Sequence, residues 1–169
     1  MQSCGRLVLS LVLLSGLSWC RVLYHFGEVE VIASETVETI EFCVRAPESV
    51  YASIRVDRNQ NGTVDSGVDT LYGVTLKEEI CTAFLRPGGG TTFCGIFHSE
   101  AQLTDVRHEH DRWEYTLSVP KRELSFSSQS AWVGITFWDN ARRAVWHFPR
   151  GDFKTSIHIR YEIEGGKDH

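Results

Sequence analysis

The chain reads as an all-β protein: an antiparallel two-sheet β-sandwich, jelly-roll-like, with short connections and at most one short helical turn. Three observations predict this. Several segments of seven or eight residues alternate apolar and polar side chains, the period of a half-buried strand. The connections between them are short and rich in Gly, Pro, Asn and Asp, residues that favour turns for backbone reasons. One segment, Ala131 to Asp139, is nearly continuous in apolar and aromatic residues, as expected of a central strand covered on both faces. A closed barrel is the alternative arrangement for such strands. At 169 residues, with 42% hydrophobic and 23% charged, the composition suits one folded domain around one core.

Taken in order, the first 18 residues carry one basic side chain, Arg6, then an apolar run from Leu7 to Leu14, then small residues at Gly16 and Ser18. This pattern predicts a secretory signal peptide at 1–18, cleaved after Ser18. The run falls short of the roughly 18 to 20 residues of a membrane-spanning helix, so no stable span is expected. An N-terminal segment at 19–28 then leads into a sandwich domain at 29–163 and a polar tail at 164–169. Within the domain, "TIEFCVR" sets Ile40, Phe42 and Val44 on one face, and "VYASIRV" does the same with Val50, Ala52, Ile54 and Val56. "RWEYTLSV" follows with Trp113, Tyr115, Leu117 and Val119, and "SIHIRYEI" with Ile157, Ile159, Tyr161 and Ile163. Trp113 and Trp132 are expected in the core. "PKRELSFSSQ" has room for a helical turn, with Pro120 at its first position.

Cleavage after Ser18 leaves Cys20, Cys43, Cys81 and Cys94, an even number in an oxidising compartment. Two disulfides in any of three connectivities are expected, with Cys81–Cys94 closing a loop around "RPGGGTTF" and Cys20–Cys43 as the favoured pairing. A rival processing would make Cys20 a lipid-bearing first residue, although Trp19 is bulky where that signal wants a small side chain. The formal charge of −5 becomes −6 without Arg6, and no run of Lys or Arg exceeds two. Nucleic acid and anionic membrane are thereby excluded as main partners, since both are held by clustered positive charge.

The segment "DRNQNGTVD" carries the clearest chemistry. Counting Asp57 as position 1, Asn59 falls at 3, Asn61 at 5, Gly62 at 6, Thr63 at 7 and Asp65 at 9. Alternate side chains in that spacing converge on a hard cation, the glycine permits the sharp turn, and residue 7 offers its carbonyl. The bidentate glutamate of an EF-hand is missing, since position 12 is Val68, and strands rather than helices flank the loop; Asp69 is the carboxylate one place later. Calcium is the expected ion, bound with a Kd on the order of 10⁻⁴ to 10⁻³ M, as in extracellular modules. An Asn/Gly turn without an ion is the plainer alternative. Asn61-Gly62-Thr63 is also a glycosylation acceptor in a eukaryotic host, where a glycan would compete with metal ligation.

A strand running into "VDRNQNGTVDSGVDTLYGV", then "RWEYTLSVPKREL", then "AWVGITFWDNARRAVWHFP" resembles the superfamily of family 9 carbohydrate-binding modules and DOMON domains over roughly Val29 to Ile163. The shared features are an aspartate- and asparagine-rich turn after a strand, a "P-x-x-x-L" turn at Pro120 to Leu124, and a late loop ending in an aromatic and proline, Trp146 to Pro149. The resemblance implies a jelly-roll sandwich that binds sugars, haem or other ligands, with structural calcium in sugar-binding members. Sugar sites stack pyranose rings on tryptophan and direct hydrogen bonds to hydroxyls. Trp138 and Trp146 flank "DNARRAV", where Asp139, Asn140, Arg142 and Arg143 are candidate hydrogen-bonding partners.

Catalysis has less support. "GIFHSE" lacks the small residues of a strained nucleophile turn, and no catalytic residue is assigned. His108 and His110 in "HEHD" are spaced to share a face if extended, which would suit zinc with a third ligand, but an exposed turn is the favoured reading. Three functions remain open. The first is a secreted or periplasmic calcium-stabilised sandwich that binds a ligand or partner, carbohydrate being one candidate; the second, a structural or protein-interaction module of the cell envelope with no small-molecule ligand; the third, a small secreted enzyme.

Overall fold

The computed structural model describes residues 20–75, 77–85, 93–95, 98–124, 130–150 and 155–158, with the backbone alone at 93–95 and 155–158. The expected signal peptide, the "RPGGG" connection, Ile159, Tyr161, Ile163 and the 164–169 tail lie outside the described residues. Within them the chain is a two-sheet antiparallel sandwich. One sheet holds β1 (Cys20–Phe26), β2 (Val29–Glu35), β3 (Thr39–Pro47), β8 (Gln102–Glu109) and β9 (Arg112–Pro120), in the spatial order β1-β2-β3-β9-β8. The other holds β4 (Val50–Asp57), β5 (Thr70–Val74), β6 (Ile80–Leu85), β7 (Phe93–Gly95), β10 (Ser130–Asp139), β11 (Ala144–Phe148) and β12 (Thr155–His158). Its order is β11-β10-β4-β5-β6-β7, and β12 pairs with β10 as well. β11 pairs with residues Ile135–Asp139 of β10 and β12 with Ser130–Val133, so the two lie end to end along one edge.

The alternating segments place their apolar members where the period requires. Ile40, Phe42, Val44, Ala52, Ile54, Val56, Tyr115, Leu117, Val119, Val133, Ile135 and Phe137 are all buried and belong to one cluster. Burying such side chains contributes roughly 1.5–3 kcal/mol each, the main favourable term of the fold. Trp113 joins this core as expected, whereas Trp132 faces the opposite side of its sheet and packs with Val64 against Leu71 and Leu85. A 3₁₀ turn, Lys121–Glu123, follows Pro120, which caps it rather than occupying its first position.

The sandwich starts earlier than the alternation suggests. Cys20–Phe26 is a full edge strand of the five-stranded sheet, paired from Cys20↔Ser34 to Phe26↔Val29. A bulge between Val22 and Tyr24 breaks the two-residue period, which is why the segment does not read as a strand.

Among the described residues no disulfide is present: Cys20, Cys43 and Cys81 are free. Cys20 pairs with Ser34 and Cys43 with Ile32, so β2 stands between them. Two strand spacings, roughly 10 Å, exceed the ~7 Å Cα limit of a disulfide. Cys81 pairs with Gly73, three residues along β6 from Phe84, the partner of Gly95. That offset, again about 10 Å, separates it from the Cys94 backbone.

The two sheets are joined by hydrogen bonds as well as by apolar packing. The β4–β5 ladder covers only Ile54 to Val56, leaving the backbone groups of Ala52 and Val50 that face β5 without a strand partner. Side chains of β9, in the other sheet, take that place. The Tyr115 hydroxyl accepts the Ala52 N–H at 3.0 Å and donates to the Ala52 carbonyl at 3.1 Å, and Trp113 Nε1 donates to the Val50 carbonyl at 2.9 Å. Burial pushes the Tyr115 phenol well above its usual range, so it stays protonated as both roles require. Replacing it, Tyr115→Phe, leaves a buried N–H and a buried carbonyl unmet and is expected to lower stability by about 1–3 kcal/mol. Urea unfolding measures this directly, and a change within experimental error would show that water replaces the hydroxyl.

Candidate calcium loop and ligand surface

The 58–69 connection grows out of β4, whose last residue is Asp57, and returns into β5 just after Asp69. Both carboxylates are fully buried at its neck. Asp57 Oδ1 accepts the Gln60 N–H at 2.6 Å and its Oδ2 the Gly62 N–H at 2.8 Å. Asp69 Oδ1 accepts the Arg58 N–H at 2.9 Å and its Oδ2 the Asp65 N–H at 2.6 Å. Gln60 and Gly62 both take positive φ, 57° and 85°, so the sharp bend expected at position 6 is present. Val64 tucks under the loop against Leu71 and Leu85, and the Leu85 N–H donates to the Asp69 carbonyl at 2.8 Å, so the loop lies against the outer face of the seven-stranded sheet.

The six residues named from the sequence are therefore brought together. Asp65 Oδ2 receives the side-chain amides of Asn59 and Asn61 at 2.6 and 2.5 Å, and Asn61 Oδ1 accepts the Thr63 N–H at 2.8 Å. Asp69, one place beyond position 12, sits at the neck. Its carboxyl is pushed up to about 6, first by burial and then by the charges of Asp57 and Asp65, against the pull of the Asp65 and Arg58 N–H groups. In the fold the charged form is the disfavoured one, so this group's contribution to calcium-free stability declines as pH rises from the ordinary carboxylate range through about 6.

The donor set suits a hard cation: three carboxylates, two amide oxygens after a half-turn of each amide, and a backbone carbonyl. Among the described residues no group of three or more His, Cys, Asp or Glu is gathered closely enough to hold a metal by itself. An ion here would draw on the amides and the carbonyl as much as on the acids.

The tryptophan pair is not brought together. The β10–β11 hairpin pairs Asp139 with Ala144, which sets Trp138 opposite Val145 and Phe137 opposite Trp146. Cross-strand partners share a face, so Trp138 and Trp146 point to opposite sides of the sheet. Trp146 turns inward: its ring stacks on Phe137 at 5.1 Å and its Nε1 donates to the Tyr24 hydroxyl at 3.3 Å. It closes the end of the core. Trp138 is 42% exposed, in a row Val145–Trp138–Tyr51 across three strands. Asp139 is buried and holds the hairpin, its Oδ1 accepting the N–H groups of Ala141 and Arg142 at 3.0 and 3.1 Å. Asn140 donates its N–H to the Ser49 carbonyl at 2.9 Å; its side chain and those of Arg142 and Arg143 remain at the surface.

His108 and His110 part company too. His110 sits in the β8–β9 turn with a φ of 58°, while His108 lies between two carboxylates, its Nδ1 3.1 Å from Glu48 and its Nε2 3.0 Å from Glu78. The two nitrogens face opposite ways, so Glu48 and Glu78 cannot join His108 around one ion. Instead the ring clasps edge strand β8 to the β3–β4 and β5–β6 turns of the sandwich. No local signal in the sequence announces it, because the three residues are 30 to 60 positions apart. The same holds for a cleft of about 410 Å³ near the β8–β9 turn, lined by Arg45, Arg107, Arg112, Glu109, Glu114 and His110 beside Trp113.

Compared with family models, curated proteins and solved structures, the chain matches none.

With both ring nitrogens facing carboxylates, the protonated form of His108 is favoured: the Glu48 hydrogen bond, then that of Glu78, raises its pKa above the ordinary value. A raised folded pKa means the clasp stabilises fully below about pH 6.5, the unfolded value, and is lost as pH rises through the folded one. Unfolding midpoints measured between pH 5.5 and 8.5 should fall more steeply for the parent chain than for His108→Gln, and parallel curves would remove the clasp.

Proposed function

We propose that this chain is a secreted, calcium-stabilised, non-catalytic binding sandwich. Carbohydrate is the ligand class its resemblance to family 9 carbohydrate-binding modules and DOMON domains implies. The observation that carries the calcium reading is the gathering of Asp57, Asn59, Asn61, Asp65 and Asp69 in one loop, with two fully buried carboxylates at its neck. Two buried acids at one loop neck are more costly than one, since each keeps its charge from water, and a divalent cation would offset that while accepting the amide oxygens.

The ligand surface moves with the register. Trp138, not Trp146, is the ring open to a sugar face, and Asn140, Arg142 and Arg143 in the adjoining hairpin are the hydrogen-bonding groups beside it; Asp139 is occupied in holding that hairpin. The second reading, an extracellular protein-interaction module, is favoured by one feature of the same surface. Trp138 and Val145, both more than 40% exposed, stand side by side on an open sheet face, closer to a small patch than to a groove between two rings.

With a Kd of about 10⁻⁴ M, ~1 mM calcium stabilises the fold by about 1.4 kcal/mol. That is a rise in Tm of about 3–6 °C for a chain of this size. Thermal unfolding in calcium and in chelator should show this difference, and Asp57→Ala should melt at the same temperature in both. A parent chain whose Tm ignores chelator sinks the calcium reading. On a glycan array, Trp138→Ala should lose binding that Trp146→Phe keeps; silence of the calcium-loaded parent chain across the array would favour the interaction module.

A further inference from the structure

Asn61 precedes Gly62, a residue whose missing side chain leaves its backbone nitrogen unusually free to attack the preceding amide, and Asn61 lies exposed on the loop. Around this pair the loop places two groups that such an attack needs. The Gly62 N–H points at Asp57 Oδ2, 2.8 Å away, a carboxylate able to take its proton. Asn61 Oδ1, where negative charge would develop, receives the Thr63 N–H at 2.8 Å and the Thr63 hydroxyl at 2.9 Å, an arrangement of the oxyanion-hole kind. Asn61 Nδ2 donates to Asp65 Oδ2 at 2.5 Å, which holds the amide in this orientation.

We propose that Asn61 is a self-modifying residue, converted from amide to acid by the loop's own groups when no cation occupies it. The Gly62 nitrogen attacks Asn61 Cγ and gives up its proton to Asp57, while the carbonyl electron pair moves onto Oδ1. As the electron pair on Oδ1 re-forms the carbonyl, the Cγ–Nδ2 bond breaks; the amine takes the proton that Asp57 received, relayed by solvent water, and leaves as ammonia, closing a five-membered imide and restoring the Asp57 carboxylate. Water then opens the imide at either carbonyl. Opening at one restores a normal backbone with aspartate at position 61; opening at the other gives an isoaspartyl link. The net change is one water consumed and one ammonia released, with no oxidant or reductant.

The consequence lies in the calcium chemistry, and to that extent rests on the calcium reading. Aspartate at loop position 5 adds a fourth carboxylate and replaces an amide that must turn to present its oxygen. The isoaspartyl form lengthens the main chain within the bend and spoils the convergence. An ion bound by Asp57 engages the carboxylate that takes the Gly62 proton, so occupancy protects Asn61.

The test uses the full chain made in a bacterial host, so that Asn61 carries no glycan, held folded in chelator at neutral pH. The peptide containing Asn61 is followed by mass spectrometry, with fragmentation that separates aspartyl from isoaspartyl products. A synthetic peptide of residues 55–68 is the reference. The folded chain should convert several-fold faster than the peptide. Thr63→Val should slow it by roughly tenfold, less than the ~10² lost when a preorganised oxyanion donor is removed from an enzyme. Conversion no faster in the fold than in the peptide overturns the proposal, and that comparison stands even where the variant fails to fold. A calcium arm separates the two readings: if the folded chain outpaces the peptide but calcium leaves its rate unchanged, the calcium reading falls and the self-modification stays.

Discussion

Strand β4 is where the molecule's constraints meet. One side of it is paired with β10 along all eight residues, but the other is paired with β5 over only three, and the remainder is closed by the Tyr115 hydroxyl and the Trp113 indole from the opposite sheet. A backbone edge buried without partners would cost more than most single contacts supply, so these hydrogen bonds fix how far apart and in what register the two sheets sit. Both candidate sites hang from this strand. Its last residue, Asp57, opens the acidic loop, and its second, Tyr51, ends the exposed row that includes Trp138.

The fold class was legible in the sequence because alternation is a direct image of a half-buried strand. Val50, Ala52, Ile54 and Val56 point inward because no other conformation buries every second residue. β1 was hidden where that image is broken, at the Val22/Tyr24 bulge. The gathering of the loop side chains was legible for a different reason: the set is local, every member within 13 residues, so spacing alone brings them together.

Relations that depend on strand register were not legible. Whether Trp138 and Trp146 share a face turns on the number of residues in the hairpin that joins them. The four-residue connection, with Arg143 at a φ of 50°, pairs 139 with 144; one residue more or fewer would have put both rings on one side. The disulfides failed on the same ground, since Cys20 and Cys43 are reasonable partners until β2 is placed between them. His108 finds Glu48 and Glu78 only after both sheets are assembled.

The outer face of the five-stranded sheet carries a row of charges of alternating sign, Glu30, Arg45, Glu114 and Arg107, which are successive register partners, with His25 beside Glu30 at its end. Arg45 lies 3.2 Å from Glu30 and 2.6 Å from Glu114, and His25 lies 3.6 Å from Glu30. Each exposed pair adds little stability, about 0.2–1 kcal/mol. Its value is as a proofreader. Apolar alternation rejects a slip of one residue, which would turn the core face outward, but tolerates a slip of two. Such a slip between β3 and β9 sets Arg45 against Arg112 or Thr116, and between β2 and β3 it sets Glu30 against Cys43 or Pro47. The row thus distinguishes one assembly of the sheet from neighbours that the core alone would accept.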